Sequence, residues 1–351
     1  MLSKSGSIVE EALDPKRAEG ESDLRFQLLL EWLDAACSEK IHAVTPASGD
    51  ASFRRYFRVH LAGRSFIAMD APPAVESIRK FVQVSNLFSR AGVQVPEIFD
   101  SNEAEGFMLL GDLGSISYLS CLDPQRAASL YHDAIEVLFL FKRHLDATAC
   151  GLPEYDIALL RRELDLFEEW FLTKKLGLKL SDNEIKMLEK VKQFLIDAIQ
   201  GQPKVVVHRD FHSRNLMVTD ERNPGVLDFQ DAVVGPLGYD LVSLLRDCYI
   251  AWPEQEVRNW AMDYFSGLGL KGVDFEQFYR WFDLCGVQRH LKVAGIFSRL
   301  EIRDHKPGYL KDIPRTLNYI RGVAHNYPEM AWLQEFLSSR VAEKTEGLFP
   351  A

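Results

Sequence analysis

Apolar and polar residues alternate through two short stretches near the start of the chain, 53–61 (FRRYFRVHL) and 65–70 (SFIAMD), separated by Ala62-Gly63. A period of two is that of a strand with one buried face, so the pattern predicts a hairpin. Before it, Leu24, Leu28, Leu29, Trp32 and Leu33 recur at helical spacing and predict an amphipathic helix packed on the same lobe. Residues 46–52 read as a turn-rich loop. Ala71-Pro72-Pro73 ends the second strand, because proline cannot continue a ladder. Residues 76–90 then read as a helix carrying Ile78, Phe81, Val82, Leu87 and Phe88, and 93–99 and 106–110 as two more strands. Gly111-Asp112-Leu113-Gly114 breaks the pattern.

Past that break the period lengthens to that of helices. Leu130, Ala134, Val137, Phe141 and Leu145 form one stripe; Ile157, Leu160, Leu164, Phe167 and Phe171 a second; Leu188, Val191, Leu195 and Ile199 a third. A polar segment 1–22 is expected to be disordered, and Gly111-Asp112-Leu113-Gly114, which resembles the hinge of kinase-like folds, sets the boundary between a small lobe 23–112 and a helical lobe 113–351.

Between helical stretches lies 205–232, VVVHRDFHSRNLMVTDERNPGVLDFQDA. Three β-branched residues lead into His208-Arg209-Asp210, Asn215 follows five residues later, and a short hairpin carries Asp228. The order Asp, Asn, Asp is the one phosphoryl transfer uses: a carboxylate to orient the attacking hydroxyl, then an amide and a carboxylate as hard oxygen ligands for Mg²⁺. Asp210 takes the catalytic role in this reading, and Asn215 and Asp228 the metal. The His-Arg-Asp-x-x-x-x-Asn pattern is complete, and Asp-Phe-Gln stands where protein kinases have Asp-Phe-Gly.

Composition narrows the partners. A net charge of −10 argues against general nucleic-acid binding. Five cysteines, scattered and odd in number, show neither a disulfide framework nor metal spacing, which points to a reducing cytoplasm. No apolar run approaches transmembrane length and no signal-peptide core is visible, so no membrane partner is expected.

The loop resembles the aminoglycoside phosphotransferase-like branch of the kinase superfamily, whose loop reads His-Gly-Asp-x-His-x-x-Asn; His212 and Asn215 match, while Arg209 replaces the glycine. HRDFHSRNLM, LDFQDA, GPLGYDL and MDAPP together resemble the bacterial N-acetylmuramate/N-acetylglucosamine anomeric kinases, over roughly residues 43–315. The resemblance implies a two-lobed, protein-kinase-like α+β fold, ATP and Mg²⁺ as cofactors and a small sugar as acceptor. It implies Asp112 at the hinge that meets the adenine, Ser48 and Gly49 in the phosphate-covering loop, and His208 and Asp240 as supports of the catalytic loop.

One departure stands out. Kinase-like small lobes place a lysine on the strand after the phosphate loop, yet no lysine occurs between Ala43 and Asp70, and Met69 stands in that strand. Arg54, Arg55, Arg58 and Arg64 are the local cations; alternation puts Arg54 and Arg58 on one face and Arg55 on the other. Arg55 or Arg58 is expected to substitute, and Glu76 is a candidate to orient such a cation, with a solvated helix-start carboxylate as the other reading. A missing lysine also keeps open a nucleotide-binding pseudokinase, and the motif alone would suit another small hydroxylated acceptor, such as an aminoglycoside, choline or homoserine.

For the acceptor, the stretch from Gly286 places Gln288, Lys292, Gly295, Arg299 and Arg303 on one helical face, with Val287, Leu291 and Ala294 on another. That stripe is either a solvated face or a site for an anionic substrate group, with Gly295 leaving room. Trp170, beside Glu168 and Glu169, is a candidate to stack on a sugar ring or a half-buried helix-end tryptophan.

Overall fold

The alternation in residues 43–70 becomes three antiparallel strands, not two. In the computed structural model, which describes residues 21–48 and 54–349, helix α1 (Glu21–Ala36) precedes β1 (Ala43–Ser48), β2 (Arg55–His60) and β3 (Ser65–Asp70). The expectations for 1–20 and for Gly49 lie outside the described residues, as does the side chain of Ser48. Of the loop expected over 46–52, residues 46–48 belong instead to β1, which pairs with β2 through Ser48 opposite Tyr56; the rest lies outside the described residues. After α2 (Ile78–Arg90) come β4 (Ile98–Asn102) and β5 (Phe107–Gly111), completing a sheet of order β1-β2-β3-β5-β4. The fourth strand starts five residues after the predicted Val93; Pro96, which has no N–H to donate, lies in the part left unpaired.

One sheet face is closed by α1. Phe26, Leu29 and Leu33 are buried with Val44, Phe57, Val59, Phe66, Ala68, Phe107 and Leu109. Leu24 and Leu28, expected in that contact, are exposed; Phe26 takes their place, one helical turn from Leu29. Burial of each such side chain contributes roughly 1.5–3 kcal/mol, so this face fixes the register of the small lobe. By alternation Tyr56, Arg58, Ile67 and Met69 belong to the other face.

The second compact unit comprises Ala91–Val93 and everything from Ile116; the first ends at Ser115. The second unit's helices are α3 (Tyr118–Cys121), α4 (Ala127–His144), α5 (Ile157–Leu166), which widens into a π-helix over Phe167–Lys175, α6 (Asp182–Gln200), α7 (Tyr239–Leu245), α8 (Glu254–Leu268), α9 (Phe275–Asp304), α10 (Ile313–Ala324), α11 (Ala331–Phe336) and α12 (Ala342–Thr345). Among them lie two small ladders, β6 (Lys204–Val207) with β9 (Val233–Pro236), and β7 (Leu216–Met217) with β8 (Gly225–Val226). Among the described residues no helix is long and apolar enough to cross a membrane.

Helix α9 is the axis of this unit. Every residue from Phe282 to Gly295 is buried, polar ones included. The expected division into a polar and an apolar face therefore fails along this part: α5, α6, α7, α10 and the π-helix surround it. Gly295 is where the π-helix junction comes closest, since a Cβ there would lie 2.4 Å from the Leu166 carbonyl. The room that Gly295 was expected to leave for a substrate is filled by that backbone.

Candidate active site

Strand β6 delivers the chain into a loop that spends most of its backbone polar groups on itself. Asp240, in the first turn of α7, accepts from the N–H of His208 at 2.6 Å and of Arg209 at 3.0 Å. Burial pushes the Asp240 carboxyl up to about 6, against the pull of His208 and the two N–H donors. His208 is fully buried and held neutral by desolvation, which lowers its pKa. Its Nδ1 accepts from the Asp210 N–H at 3.2 Å, which leaves Nε2–H to donate to the Leu227 carbonyl at 2.9 Å. One imidazole thereby joins the catalytic loop to the strand that leads to Asp228.

Asn215 is fixed in the same way. Its Nδ2 donates to the Asp210 carbonyl at 2.9 Å, and its own carbonyl accepts from the Leu227 N–H at 2.9 Å. With the amide nitrogen committed to the loop, the amide oxygen is the atom left for a cation. Asp228 is exposed, adopts φ 59°, and accepts from Gln230 Nε2 at 2.8 Å through Oδ1. Gln230, which replaces the expected glycine, is itself buried and anchors this carboxylate. Two hard oxygen donors on residues held by one hydrogen-bonded hairpin suit Mg²⁺. Among the described residues, the three-carboxylate group Asp165, Glu168 and Glu189 already surrounds the Lys192 ammonium at 2.6–2.8 Å and is an ion-pair cluster.

Asp210 keeps 37 % of its side chain exposed and faces Arg289 Nη1 at 3.4 Å. The same guanidinium nitrogen donates to the Arg209 carbonyl at 2.9 Å. Burial raises the Asp210 carboxyl, but Lys292, Arg289, His212 and Arg209 together outweigh it and hold the group far below the usual carboxylate range. The carboxylate is thereby held in its ionised, hydrogen-bond-accepting form.

Arg209 adopts φ 78°, the left-handed region where the resembling loops have glycine. Its side chain is tied down by Glu163, by the Asp231 carbonyl at 3.2 Å and by the Tyr155 ring. Glu163 also accepts from Tyr155 Oη and from Gln288 Nε2 at 3.0 Å, and lies 3.2 Å from Lys292 Nζ. Gln288 and Lys292, read from the sequence as substrate-facing, are thus buried partners of Glu163 beneath the catalytic loop. Arg303, from the same stripe, is paired with its neighbour Asp304 at 2.8 Å. Arg299 is half-buried, and its Nε has no hydrogen-bond partner among the described residues. Burial and then Arg303 lower its pKa. Trp170 is half-buried with Lys174 Nζ 3.5 Å above its ring, so that face already holds a cation.

Sequence reading missed Arg289 and Glu163, and also an aromatic group next to the loop. His212 stands edge-on to Tyr249 at 5.4 Å, Tyr249 neighbours Phe297 at 6.1 Å, and Phe297 neighbours Tyr309 at 5.3 Å. Arg214 lies over Tyr249 and Tyr309.

In the small unit, Arg58 gives Nε to Asp112 at 2.6 Å and Nη2 to Asp112 at 3.1 Å and to the Gly114 carbonyl at 2.9 Å. Ser65 Oγ adds 2.6 Å to the same carboxylate. Arg58 and Asp112 therefore neutralise each other at the end of β5. Arg55 and Arg25 both pair with Asp70, whose side chain is fully buried on the α1 face. Neither arginine expected to replace the strand lysine stands clear of a carboxylate. Arg54 pairs with Glu76 at 2.6 Å.

Comparison with known proteins agrees with this geometry. The signature of the phosphotransferase enzyme family matches residues 43–281. The chain is 46% identical over 333 residues to an N-acetylmuramate/N-acetylglucosamine kinase of Pseudomonas putida, covering 91% of this chain and 97% of that protein. It is 42% identical over 327 residues to the kinase of the same name from Neisseria meningitidis, covering 90% and 96%. Among solved structures it is similar to choline kinase LicA from Streptococcus pneumoniae (TM-score 0.61, 13% identity, 86% and 99% covered). It is also similar to ADP-bound aminoglycoside phosphotransferase APH(2'')-Ib (TM-score 0.58, 14% identity, 83% and 97% covered). Those two show the fold alone: a protein-kinase-like arrangement with an antiparallel small lobe and a larger helical one. The chain belongs to the phosphotransferase enzyme family, on the branch of its amino-sugar kinases.

Proposed function

We propose that the protein transfers the γ-phosphoryl group of ATP, with Mg²⁺, to the anomeric hydroxyl of N-acetylmuramate and N-acetylglucosamine in the cytoplasm. The observation that carries this reading is the ionised, positioned Asp210 on a loop whose Asn215 amide oxygen is left over for a cation. The identity to named kinases of those two sugars supports the acceptor.

In this mechanism Asp210 accepts a hydrogen bond from the acceptor hydroxyl and aims its oxygen at the γ-phosphorus. The new O–P bond forms as the bond to the bridging oxygen breaks, ADP leaves, and the hydroxyl proton passes toward the Asp210 carboxylate. An anomeric hydroxyl is more acidic than an ordinary alcohol, so a weak base suffices, and positioning dominates. When bound at Asn215 and Asp228, Mg²⁺ supplies charge neutralisation to the phosphates. Arg289 and Lys292 keep Asp210 ionised, and Asp240 and His208 keep the loop in shape.

The test is direct. Purified protein with Mg·ATP and a panel of amino sugars, aminoglycosides, choline and homoserine is assayed for ADP release, and the product is examined by phosphorus NMR. A sugar 1-phosphate from the two amino sugars is the expected product. Asp210→Asn should lower turnover by roughly 10²–10⁴-fold with nucleotide binding retained. Phosphorylation of a different acceptor, or at a different hydroxyl, would replace the substrate assignment. ATP binding without turnover on any acceptor would point to a pseudokinase.

A further inference from the structure

Asp210 has an open side and a buried side. Its side chain is 37 % exposed, yet its Oδ1 lies 3.4 Å from Nη1 of Arg289, whose side chain is only 2 % exposed. The same Nη1 donates to the Arg209 carbonyl at 2.9 Å. The N–H of Arg209 in turn donates to Asp240 Oδ1 at 3.0 Å. Both backbone groups of Arg209, the residue with φ 78°, are therefore held by buried charged side chains. Past it, the Asp210 N–H donates to His208 Nδ1 at 3.2 Å, and the Asp210 carbonyl accepts from Asn215 Nδ2 at 2.9 Å. The backbone of Asp210 is thus fixed on both sides. What remains is the direction of its carboxylate, and the side chain that pairs with it is Arg289.

Packing explains this arginine poorly. Its Nε is buried without a hydrogen-bond partner among the described residues. A buried polar group left unpaired costs free energy, and apolar residues in place of a buried ion pair are often as stable or more so. Helix α9 nonetheless carries the charge where it reaches the catalytic loop.

We infer that Arg289 is a positioning residue of the phosphoryl transfer: it pins the Arg209 carbonyl and draws Asp210 Oδ1 inward, so that Oδ2 is aimed at the acceptor hydroxyl. Arg289 acts through Asp210 and does not touch the substrate. The inference rests on the kinase reading above and goes beyond the charge balance given there. Charge alone keeps the carboxylate ionised, and Lys292 supplies charge as well. The two contacts of Nη1 fix where the carboxylate points, and a misaimed group loses rate even when substrate binds normally.

The rival role is a support of the fold, and a double-mutant cycle separates the two. Steady-state turnover of N-acetylglucosamine is measured for wild type, Arg289→Gln, Arg289→Lys, Asp210→Asn and the two double variants. A glutamine is too short to reach both partners of Nη1 and carries no charge. Arg289→Gln should lower kcat by about ten- to a hundredfold, with the KM for the sugar and the calorimetric affinity for Mg·ATP changed by less than about threefold. Arg289→Lys, which keeps a cationic donor, should recover most of the loss. In the Asp210→Asn background, Arg289→Gln should cost little further turnover, because the carboxylate it acts through is gone. Equal losses in the two backgrounds, a parallel loss of Mg·ATP affinity, or full kcat in Arg289→Gln would overturn the inference. Should Arg289→Gln fail to fold, Arg289→Met, which fills the buried site with an apolar chain, takes its place in both backgrounds. A wild type that phosphorylates neither amino sugar would instead overturn the kinase reading, and this inference with it.

Discussion

The guanidinium of Arg209 and the carboxylate of Glu163 form a buried ion pair, 2.5 Å from Nη2 to Oε1, at the residue where the catalytic loop turns left-handed. The side chain exists there at a conformational cost. A non-glycine residue in that region costs about 1–2 kcal/mol, and the glycine seen in the resembling loops avoids it. What this chain gains is a partner for a glutamate otherwise sunk among Tyr155, Gln288 and Lys292. Burial raises the Glu163 carboxyl, yet Lys292 and Arg209 outweigh it and hold the group ionised.

Arg209→Gly therefore tests two opposed effects. Removing one partner of a buried pair costs roughly 3–5 kcal/mol, which exceeds the strain relieved. The variant should be destabilised by about 1–4 kcal/mol in denaturant unfolding, with Lys292, 3.2 Å away, left as the remaining cation beside Glu163. A single variant as stable as wild type would show that backbone strain, not the ion pair, dominates at this position.

Asp240 links pH to the same loop. Its folded pKa of about 6 lies above the ordinary 3.8 because burial disfavours the charge. Between those values the native state holds the extra proton, so this group's own contribution to stability grows as pH falls through 6. The buried, neutral His208, His212 and His290, whose pKa values desolvation lowers, act in the opposite sense over the same window. Activity is the cleaner readout. Protonating Asp240 removes an acceptor from the N–H groups of His208 and Arg209, so turnover should fall with a midpoint near pH 6. In Asp240→Asn, turnover should be low throughout and that limb absent. A wild-type profile flat from pH 7.5 to 5, or the same limb in the variant, would remove Asp240 from this role.

How far the sequence revealed this site depended on the range of the interactions. Asp210, Asn215 and Asp228 could be singled out as candidates because the chemistry fixes their order within a short stretch, and Asp240 because a small motif carries it. The two-lobed fold was implied by the resemblance those motifs carry, and the change of period past Gly111 agrees with it. Glu163 and Arg289 were not legible, since their partners lie 46 and 79 residues away. Glu163 did leave a trace: a carboxylate inside the apolar stripe of Leu160, Leu164 and Phe167. Alternation separated Arg54 from Arg55, but only the placement of α1 tells which face is covered. The polar stripe on α9 misled because a helix buried on all sides keeps its charged residues as internal partners.

The metal assignment has its own test. Asp228→Ala removes one hard oxygen donor while leaving Phe229 and Gln230 in place. Mg²⁺-dependent tightening of ATP binding should disappear in calorimetry, with affinity for ATP in the absence of divalent metal little changed. Unchanged Mg·ATP affinity together with unchanged turnover would exclude Asp228 from the metal site.

We propose Arg299 as the residue of the α9 stripe that meets the acidic sugar. Gln288 and Lys292 are occupied by Glu163, and Arg303 by Asp304. The Arg299 guanidinium is half-buried, with an unpartnered Nε among the described residues and a pKa depressed by burial and by Arg303. A cation in that state gains by meeting an anion. N-acetylmuramate carries a lactyl carboxylate that N-acetylglucosamine lacks, and an unpaired carboxylate is costly to desolvate. If Arg299 meets it, Arg299→Ala should raise the KM for N-acetylmuramate by about ten- to a hundredfold, from a charge-assisted contact of roughly 1.5–3 kcal/mol. The KM for N-acetylglucosamine should move little, because that sugar offers no charge there. Steady-state kinetics on both sugars, with Arg299→Lys as a charge-retaining control, make the comparison. Equal losses on the two sugars would assign Arg299 to packing against the π-helix, and no loss on either would place carboxylate recognition elsewhere.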